Sequence, residues 1–205
     1  MKLYDAAMPA PNPRRVRMFL AEKNITDVPL VPVDLRKGES RSPELMAKNI
    51  LGGIPFLELD DGTVLGESLA ICRYFEELQP QPSLFGSGAL EKATIDMWCR
   101  KMELNFMVPV GQVWIHGHPL TAKLIAQVPA AADFNRTRLA QFYPVLDRHL
   151  ASNEYIAGAN FSVADIVALS VMDFACDLVG VPYEAELVNI QRWRELVQAR
   201  PSASA

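Results

Sequence analysis

Two short stretches hold the residues whose types and spacing could do chemistry. Ile54-Pro55 stands just before the apolar run Phe56-Leu57, and Glu67-Ser68 stands just before Leu69-Ala70-Ile71-Cys72-Arg73-Tyr74-Phe75. Proline at the head of a strand removes a backbone donor. An X-Pro bond there is also a candidate for the cis form. A cis bond would turn the N–H and C=O of Ile54 outward, where an extended peptide could pair with them. A hydroxyl and a carboxylate at a helix start stand among free N–H groups at the positive end of the dipole, a place that favours an anionic group. Together the two stretches could hold a short peptide by its backbone and by a terminal carboxylate. Taken singly, each residue has a plainer role: Ser68 as a helix N-cap, Pro55 as a strand-edge residue, Glu67 as a surface carboxylate.

The elements that would position these residues can be read in order. Lys2 to Ala6 reads as a strand. Met8-Pro9-Ala10-Pro11 is a loop, and Asn12-Pro13 opens a helix with Asn as N-cap and Pro in the first helical position. Val16, Phe19 and Leu20 give that helix an apolar face, while Arg14, Arg15 and Arg17 read as a solvated or interface edge. Val28 to Leu35 reads as a second strand carrying the β-branched Val31 and Val33. A short helix begins at Ser42-Pro43-Glu44 and ends near Asn49. Phe56 to Leu59 and Val64-Leu65 form a hairpin through the two-residue turn Asp61-Gly62. A helix from Ser68 to Leu78 completes the order β-α-β-α-β-β-α, a thioredoxin-like arrangement, and Gln79-Pro80-Gln81-Pro82-Ser83 reads as a linker.

Beyond Ala89 the pattern is helical throughout. The stripe Ile95, Trp98, Cys99, Met102, Phe106, Val113 is bent by Pro109 and stopped at His116-Gly117-His118-Pro119, with Gly at the C′ position. A further helix spans about Ala131 to Leu150, kinked at Pro144. Ser162-Val163-Ala164-Asp165 is a capping box ahead of a helix apolar almost all round, the expected centre of the second half. Capping accounts for Asp165 without a catalytic role. The last helix runs from Val188 to Ala199, and the tail after Pro201 is expected to fray. The expected domains are residues 1–80, thioredoxin-like, and 89–205, all-helical.

Composition narrows the class. The chain has 205 residues, half of them hydrophobic, and a net charge of −4. It is long enough for a sizeable core, and the acidic balance argues against a nucleic-acid binder. No apolar run approaches the roughly 20 residues of a membrane span. Met1-Lys2-Leu3-Tyr4-Asp5 has no signal-peptide core, so the expected location is cytoplasmic. Cys72, Cys99 and Cys176 lie apart within helical patterns and read as buried small hydrophobes, with neither a disulfide framework nor a metal site.

In this order and spacing, Ile54-Pro55, the Asp-Gly hairpin and Glu67-Ser68 resemble the glutathione-site motif of cytosolic glutathione S-transferases. The resemblance extends to Met1-Lys2-Leu3-Tyr4, to Arg14–Lys23 and to Ser162-Val163-Ala164-Asp165, and so covers nearly the whole chain. It implies a homodimeric enzyme with glutathione as co-substrate, joining the thiolate to a hydrophobic electrophile. Residues 1–80 would bind glutathione and residues 89–205 would form the electrophile pocket. Ser68 would bond the γ-glutamyl carboxylate, Glu67 its ammonium, and Ile54, ahead of Pro55, the cysteinyl backbone. The glycine carboxylate needs a cation, for which Lys37, Arg41 and Lys48 are candidates. Family members often carry His or Lys just before the Val/Ile-Pro pair, where this chain has Gly52-Gly53. The dimer interface is expected near Arg73 and Trp98. Two alternatives are a different glutathione-dependent reaction on the same site (isomerisation, peroxide reduction or dehalogenation) and a ligand-binding module without turnover.

The chain departs from the family at the thiol. Family enzymes place a Tyr, Ser or Cys after the first strand, at about Ala10 here, and residues 6–13 contain none of these. Tyr4 lies one strand too early. Making a thiolate dominant at pH 7 needs a depression of roughly 2 units from 8.5, or about 2.7 kcal/mol. A helix N-terminus typically gives about 0.3–1 kcal/mol, so the first helix, even with Asn12 as a donor, falls short. This omission resembles the bacterial and fungal Gtt2-like sub-group, which is thought to use a His, and a Ser acting through water, from the second half. His118 and His116 are the corresponding candidates. No Ser follows them, and Thr121 is the nearest hydroxyl.

Overall fold

Strand β1 (Lys2–Asp5) is central to the first half of the chain. It pairs parallel with β2 (Leu30–Pro32) through the crossover helix α1 (Pro11–Glu22), and antiparallel with β3 (Phe56–Glu58). β3 in turn pairs antiparallel with β4 (Val64–Leu65), giving the sheet order β2-β1-β3-β4. The computed structural model describes residues 1–6 and 10–205, so Met8 and Pro9 of the expected loop lie outside the described residues. The chain forms two compact units, Met1–Leu84 with Pro201–Ala205, and Phe85–Arg200. The first is thioredoxin-like, adding α2 (Pro43–Lys48) and α3 (Ser68–Leu78) to the elements above. The second is helical: α4 (Ala89–Met102), α5 (Val108–Gly117), α6 (Pro129–Leu150), α7 (Val163–Asp173) and α8 (Val188–Gln198). Among the described residues, no helix is long and apolar enough to cross a membrane.

Several local expectations are corrected. α1 starts at Pro11, with Ala10 at the N-cap, and Asn12 lies inside the first turn. Both prolines fit there because the first N–H groups of a helix have no intrahelical partner. The β3–β4 turn has three residues, Asp60, Asp61 and Gly62, between the hydrogen-bonded pair Leu59 and Thr63. Gly62 N–H bonds to Leu59 C=O at 3.0 Å, Leu59 N–H bonds to Thr63 C=O at 2.8 Å, and Gly62 sits at φ +85°. Glycine supplies that left-handed residue without a Cβ penalty. Arg15 is almost fully buried rather than solvated, Arg17 pairs with Asp5 at 2.7 Å, and Arg14 donates to Ala203 C=O. The tail is ordered as a 3₁₀ turn over Pro201–Ser204, with Ser202 buried and bonded to Glu22 of α1.

In the second unit, a π-helical turn over Glu103–Met107 joins α4 to α5, and Pro109 falls in the first turn of α5. The widened turn answers the missing N–H and the ring clash of the proline. α6 is continuous from Pro129 to Leu150 with Pro144 inside it. Gly117 is the last residue of α5 rather than a left-handed cap residue. A Cβ there would fall 3.0 Å from Ala132 Cβ and 2.7 Å from Arg136 Nη2, so glycine serves the approach of α6.

The capping box at α7 is present, and it is part of a larger network. Asp165, fully buried, accepts from Ile156 N–H (2.8 Å), Trp193 Nε1–H (2.9 Å), Ser162 N–H (3.0 Å) and Ser162 Oγ (3.2 Å). Burial pushes its carboxyl up to about 6, against the pull of these four donors. Asp165→Ala would strand buried donors that each cost about 1–3 kcal/mol when unsatisfied. We expect a loss of at least about 3 kcal/mol, read by urea unfolding followed through tryptophan fluorescence.

Candidate functional site

In the first unit, the candidate residues are gathered by hydrogen bonds and close packing. The Ile54–Pro55 bond is cis. Among the described residues no hydrogen bond reaches the N–H or C=O of Ile54. Just ahead of it, Asn49 at the end of α2 donates its amide to Gly53 C=O at 2.9 Å. The same amide lies 3.7 Å from an ideal Cβ on Gly53 and 3.9 Å from one on Gly66. One side chain therefore lies against the residue before Ile54 and the residue before Glu67.

The start of α3 differs from the plain cap expected of Ser68. Glu67 occupies the N-cap position at φ +63°, ψ 118°, with no side-chain capping bond, and Ser68 is the first helical residue. A left-handed φ in a non-glycine residue is uncommon and costs of order 1–3 kcal/mol. The N–H groups of the first turn are left with neither an intrahelical nor a capping partner, a ready anion site. Ser68 is 5% exposed, and its Oγ accepts from Arg15 Nη1 at 3.4 Å. Glu67 remains exposed.

The three candidate cations differ in what surrounds them. Lys48 donates to Glu58 Oε2 at 2.6 Å and to Tyr4 Oη at 2.9 Å, and Tyr4 also donates to Glu58 at 2.8 Å. The Glu58 and Tyr4 bonds hold the ammonium of Lys48 above its ordinary pKa. Tyr4 is the packed strand residue expected, stacked on Phe56 with ring centroids 4.1 Å apart. Lys37 is well exposed, with Asp34 at 3.6 Å. Arg41 is exposed and, among the described residues, pairs with no carboxylate. Its stem lies over Gly52, where an added Cβ would fall 2.9 Å from Arg41 Cδ and 2.9 Å from Met46 Sδ. Gly52 (φ +60°) thus makes room for Arg41 beside the segment leading to Ile54.

His116 and His118 belong to the second unit, where both are half-buried and tied to backbone. His118 Nδ1 accepts from Leu120 N–H at 3.2 Å, and His116 Nδ1 accepts from Val128 N–H at 3.3 Å. With Nδ1 acting as acceptor, the neutral ring carries its proton on Nε2. Each histidine therefore offers a donor rather than a free base. The Trp114 ring lies tilted against the His118 ring, with centroids 4.4 Å apart, and meets Phe174 edge-on at 5.5 Å. Thr121 donates its hydroxyl hydrogen within its own turn, with Trp114 C=O (2.8 Å), His118 C=O (2.8 Å) and Ile115 C=O (3.0 Å) as acceptors. The Asn12 amide makes no hydrogen bond among the described residues. No group of described residues could hold a metal ion.

Sequence reasoning passed over Asn49 and Arg15. Arg15 could have been found from its spacing, because it shares a helical stripe with Met18 and Phe19 (i+3, i+4) and so faces the core. Asn49 carries no such signal.

A thioredoxin-like unit with a cis-Pro edge and an uncapped helix start, followed by an all-helical unit, defines the class of glutathione-binding transferases. Family models agree. The glutathione S-transferase N-terminal domain matches residues 10–78 and the C-terminal domain residues 114–201. Glutathione S-transferase 2 of Saccharomyces cerevisiae is 37% identical over 98% of this chain and 87% of its own length. The crystal structure of Gtt2 from the same yeast superposes with a TM-score of 0.93 at 36% identity, covering 100% of this chain and 99% of that one. A Gtt2-class transferase of Vibrio parahaemolyticus gives 0.86 at 35% identity, over 98% and 94%. The chain belongs to the glutathione S-transferase family, in its Gtt2-like branch, and glutathione is its co-substrate.

Glu58 gives a pH signature. The bond from Lys48, then that from Tyr4, holds its carboxyl down to about 2, against 4.5 as its ordinary value. The unfolded chain takes up this proton at higher pH than the folded one. The pair's contribution is therefore present above pH 4.5 and lost as pH falls toward 2. Lys48→Met should flatten that part of the stability profile, checked by urea unfolding at a series of pH values through this range.

Proposed function

We propose that the chain conjugates glutathione to a hydrophobic electrophile, with the first unit binding glutathione and the second supplying the electrophile pocket. The thiol gives up its proton to solvent, and the thiolate sulfur forms a bond to an electrophilic carbon, either displacing a leaving group that departs with its electron pair or adding to a conjugated double bond whose resulting anion takes a proton from solvent. The observation that carries this reading is the start of α3, where Glu67 adopts φ +63° and leaves the helix end without a side-chain cap. Ser68 and the adjoining N–H groups would take the γ-glutamyl carboxylate, Glu67 its ammonium, and the unbonded backbone of Ile54 the cysteinyl backbone. Arg41 would take the glycine carboxylate, because Lys48 is engaged with Glu58 and Lys37 stands beside Asp34. The thiolate would be met by a histidine Nε2–H, from His118 ahead of His116, with Asn12 as an auxiliary donor. This role stabilises the thiolate by donation and requires no proton to be accepted.

We further propose a cytoplasmic homodimer. Leu90, Met97 and Leu104 recur at seven-residue intervals along α4 and the π turn with 82%, 43% and 60% exposure, an unpartnered apolar stripe suited to a second copy.

The test is a pH titration of the ultraviolet thiolate absorbance of glutathione with saturating protein. The expected result is a bound thiol pKa clearly below the free value. His118→Ala should raise it by about 1–2 units, the worth of a hydrogen bond to a charged group. A bound but unshifted thiol would point to a binding module without turnover. Absence of binding would overturn the assignment of Ile54, Glu67 and Ser68. Calorimetry should separate the cations: Arg41→Ala weakens glutathione by about tenfold or more, whereas Lys37→Ala leaves it within about twofold.

A further inference from the structure

α5 ends without its usual donors. The carbonyl of Ile115 would ordinarily receive the N–H four residues on, but that residue is Pro119, which has none. Nor does a left-handed glycine close the helix: His118 takes the C-cap position in extended geometry, at φ −92°, ψ 137°. The half-buried Gln127, just ahead of α6, helps to supply what is missing. Its Nε2 donates to His118 C=O at 2.8 Å, to Thr121 Oγ1 at 3.0 Å and to Ile115 C=O at 3.2 Å. Two of these partners are carbonyls, which only accept, so chemistry alone orients the amide with Nε2 toward them. The turn that begins at the clamped carbonyl carries Leu120 N–H to His118 Nδ1. The residue after Gln127, Val128 at the N-cap of α6, gives its backbone N–H to His116 Nδ1. One dipeptide at the head of α6 thus holds the backbone of one histidine and the ring of the other.

We propose that Gln127 is a positioning residue for the thiolate donor. By clamping His118 C=O, its amide fixes the turn from which Leu120 N–H reaches the ring, and so holds Nε2–H of His118 in one orientation. This rests on the reading of His118 as the donor to the thiolate. Gln127 acts through His118, and its effect is on the acidity of the bound thiol and not on the peptide contacts of glutathione. The bond to His116 comes from the Val128 backbone, so a side-chain change at Gln127 leaves that donor in place and bears on His118.

A double-mutant cycle tests this, with the bound thiol pKa read by ultraviolet titration at saturating protein. Calorimetry with S-methylglutathione, whose sulfur carries no proton, reads the peptide contacts separately. Gln127→Met keeps the length of the side chain without its donors and should raise the thiol pKa by about 0.5–1 unit. In the His118→Ala background the same change should add less than about 0.3 unit, and S-methylglutathione affinity should stay within about twofold throughout. Gln127→Lys, which keeps N–H donors at similar reach, should recover part of the loss. Gln127→Ala replaces the methionine variant if that protein does not fold. If His118→Ala leaves the thiol pKa unchanged, the assignment of His118 fails and the proposal goes with it. If His118→Ala raises it but Gln127→Met does not, or raises it equally with and without His118, the proposal alone is overturned and His118 keeps its role. A loss of S-methylglutathione affinity matching the rise in pKa would likewise overturn it, because a residue acting through the histidine leaves the peptide contacts intact.

Discussion

The first unit depends on a helix end left open. α3 begins with a residue held at φ +63° and with no side chain accepting from its first-turn N–H groups. In a globular protein such groups are ordinarily paired, because leaving them bare costs about as much as a lost hydrogen bond. The neighbouring structure keeps this end available. Asn49 braces Gly53 and lies close to Gly66, Arg15 donates to Ser68, and β3–β4 brings the chain to Glu67. Strain and unmet donors concentrated at one point are a common mark of a functional site.

α7 of the second unit shows the opposite treatment. Ser162 accepts from Ala164 N–H at 3.3 Å, Asp165 closes the box, and the same carboxylate receives Ile156 and Trp193. Each of its donors is a buried group that would otherwise be unmet, so Asp165 ties the loop before α7 and the helix α8 to one point. The buried carboxylate of Asp165 is saturated with donors, whereas the start of α3 has no side-chain cap.

The histidine turn shows how backbone contacts set chemistry. Both rings are held through Nδ1 by backbone N–H groups, which fixes the proton on Nε2 and makes each a donor. A thiolate needs stabilisation of roughly 2.7 kcal/mol to dominate at neutral pH. One charge-assisted donor of about 1.5–3 kcal/mol approaches that on its own.

The sequence alone determined the order of elements, the thioredoxin-like unit ahead of the helical one, the Ser162–Asp165 box, and Ile54-Pro55 with Glu67-Ser68 as the residues to watch. Those features are local: hydrophobic period, turn residues and caps depend on neighbours a few positions away. Tertiary structure decided what depends on distant partners. It buried Arg15 beneath Ser68, engaged Lys48 with Glu58 and Tyr4, left Arg41 over Gly52, and ordered the tail against α1. It also moved Ser68 one residue into its helix, because the entry of the chain from β4 into α3 sets φ at Glu67 and no local propensity does. Lys37, Arg41 and Lys48 are equivalent in the sequence, since a cation's availability is set by the carboxylates that the fold brings to it.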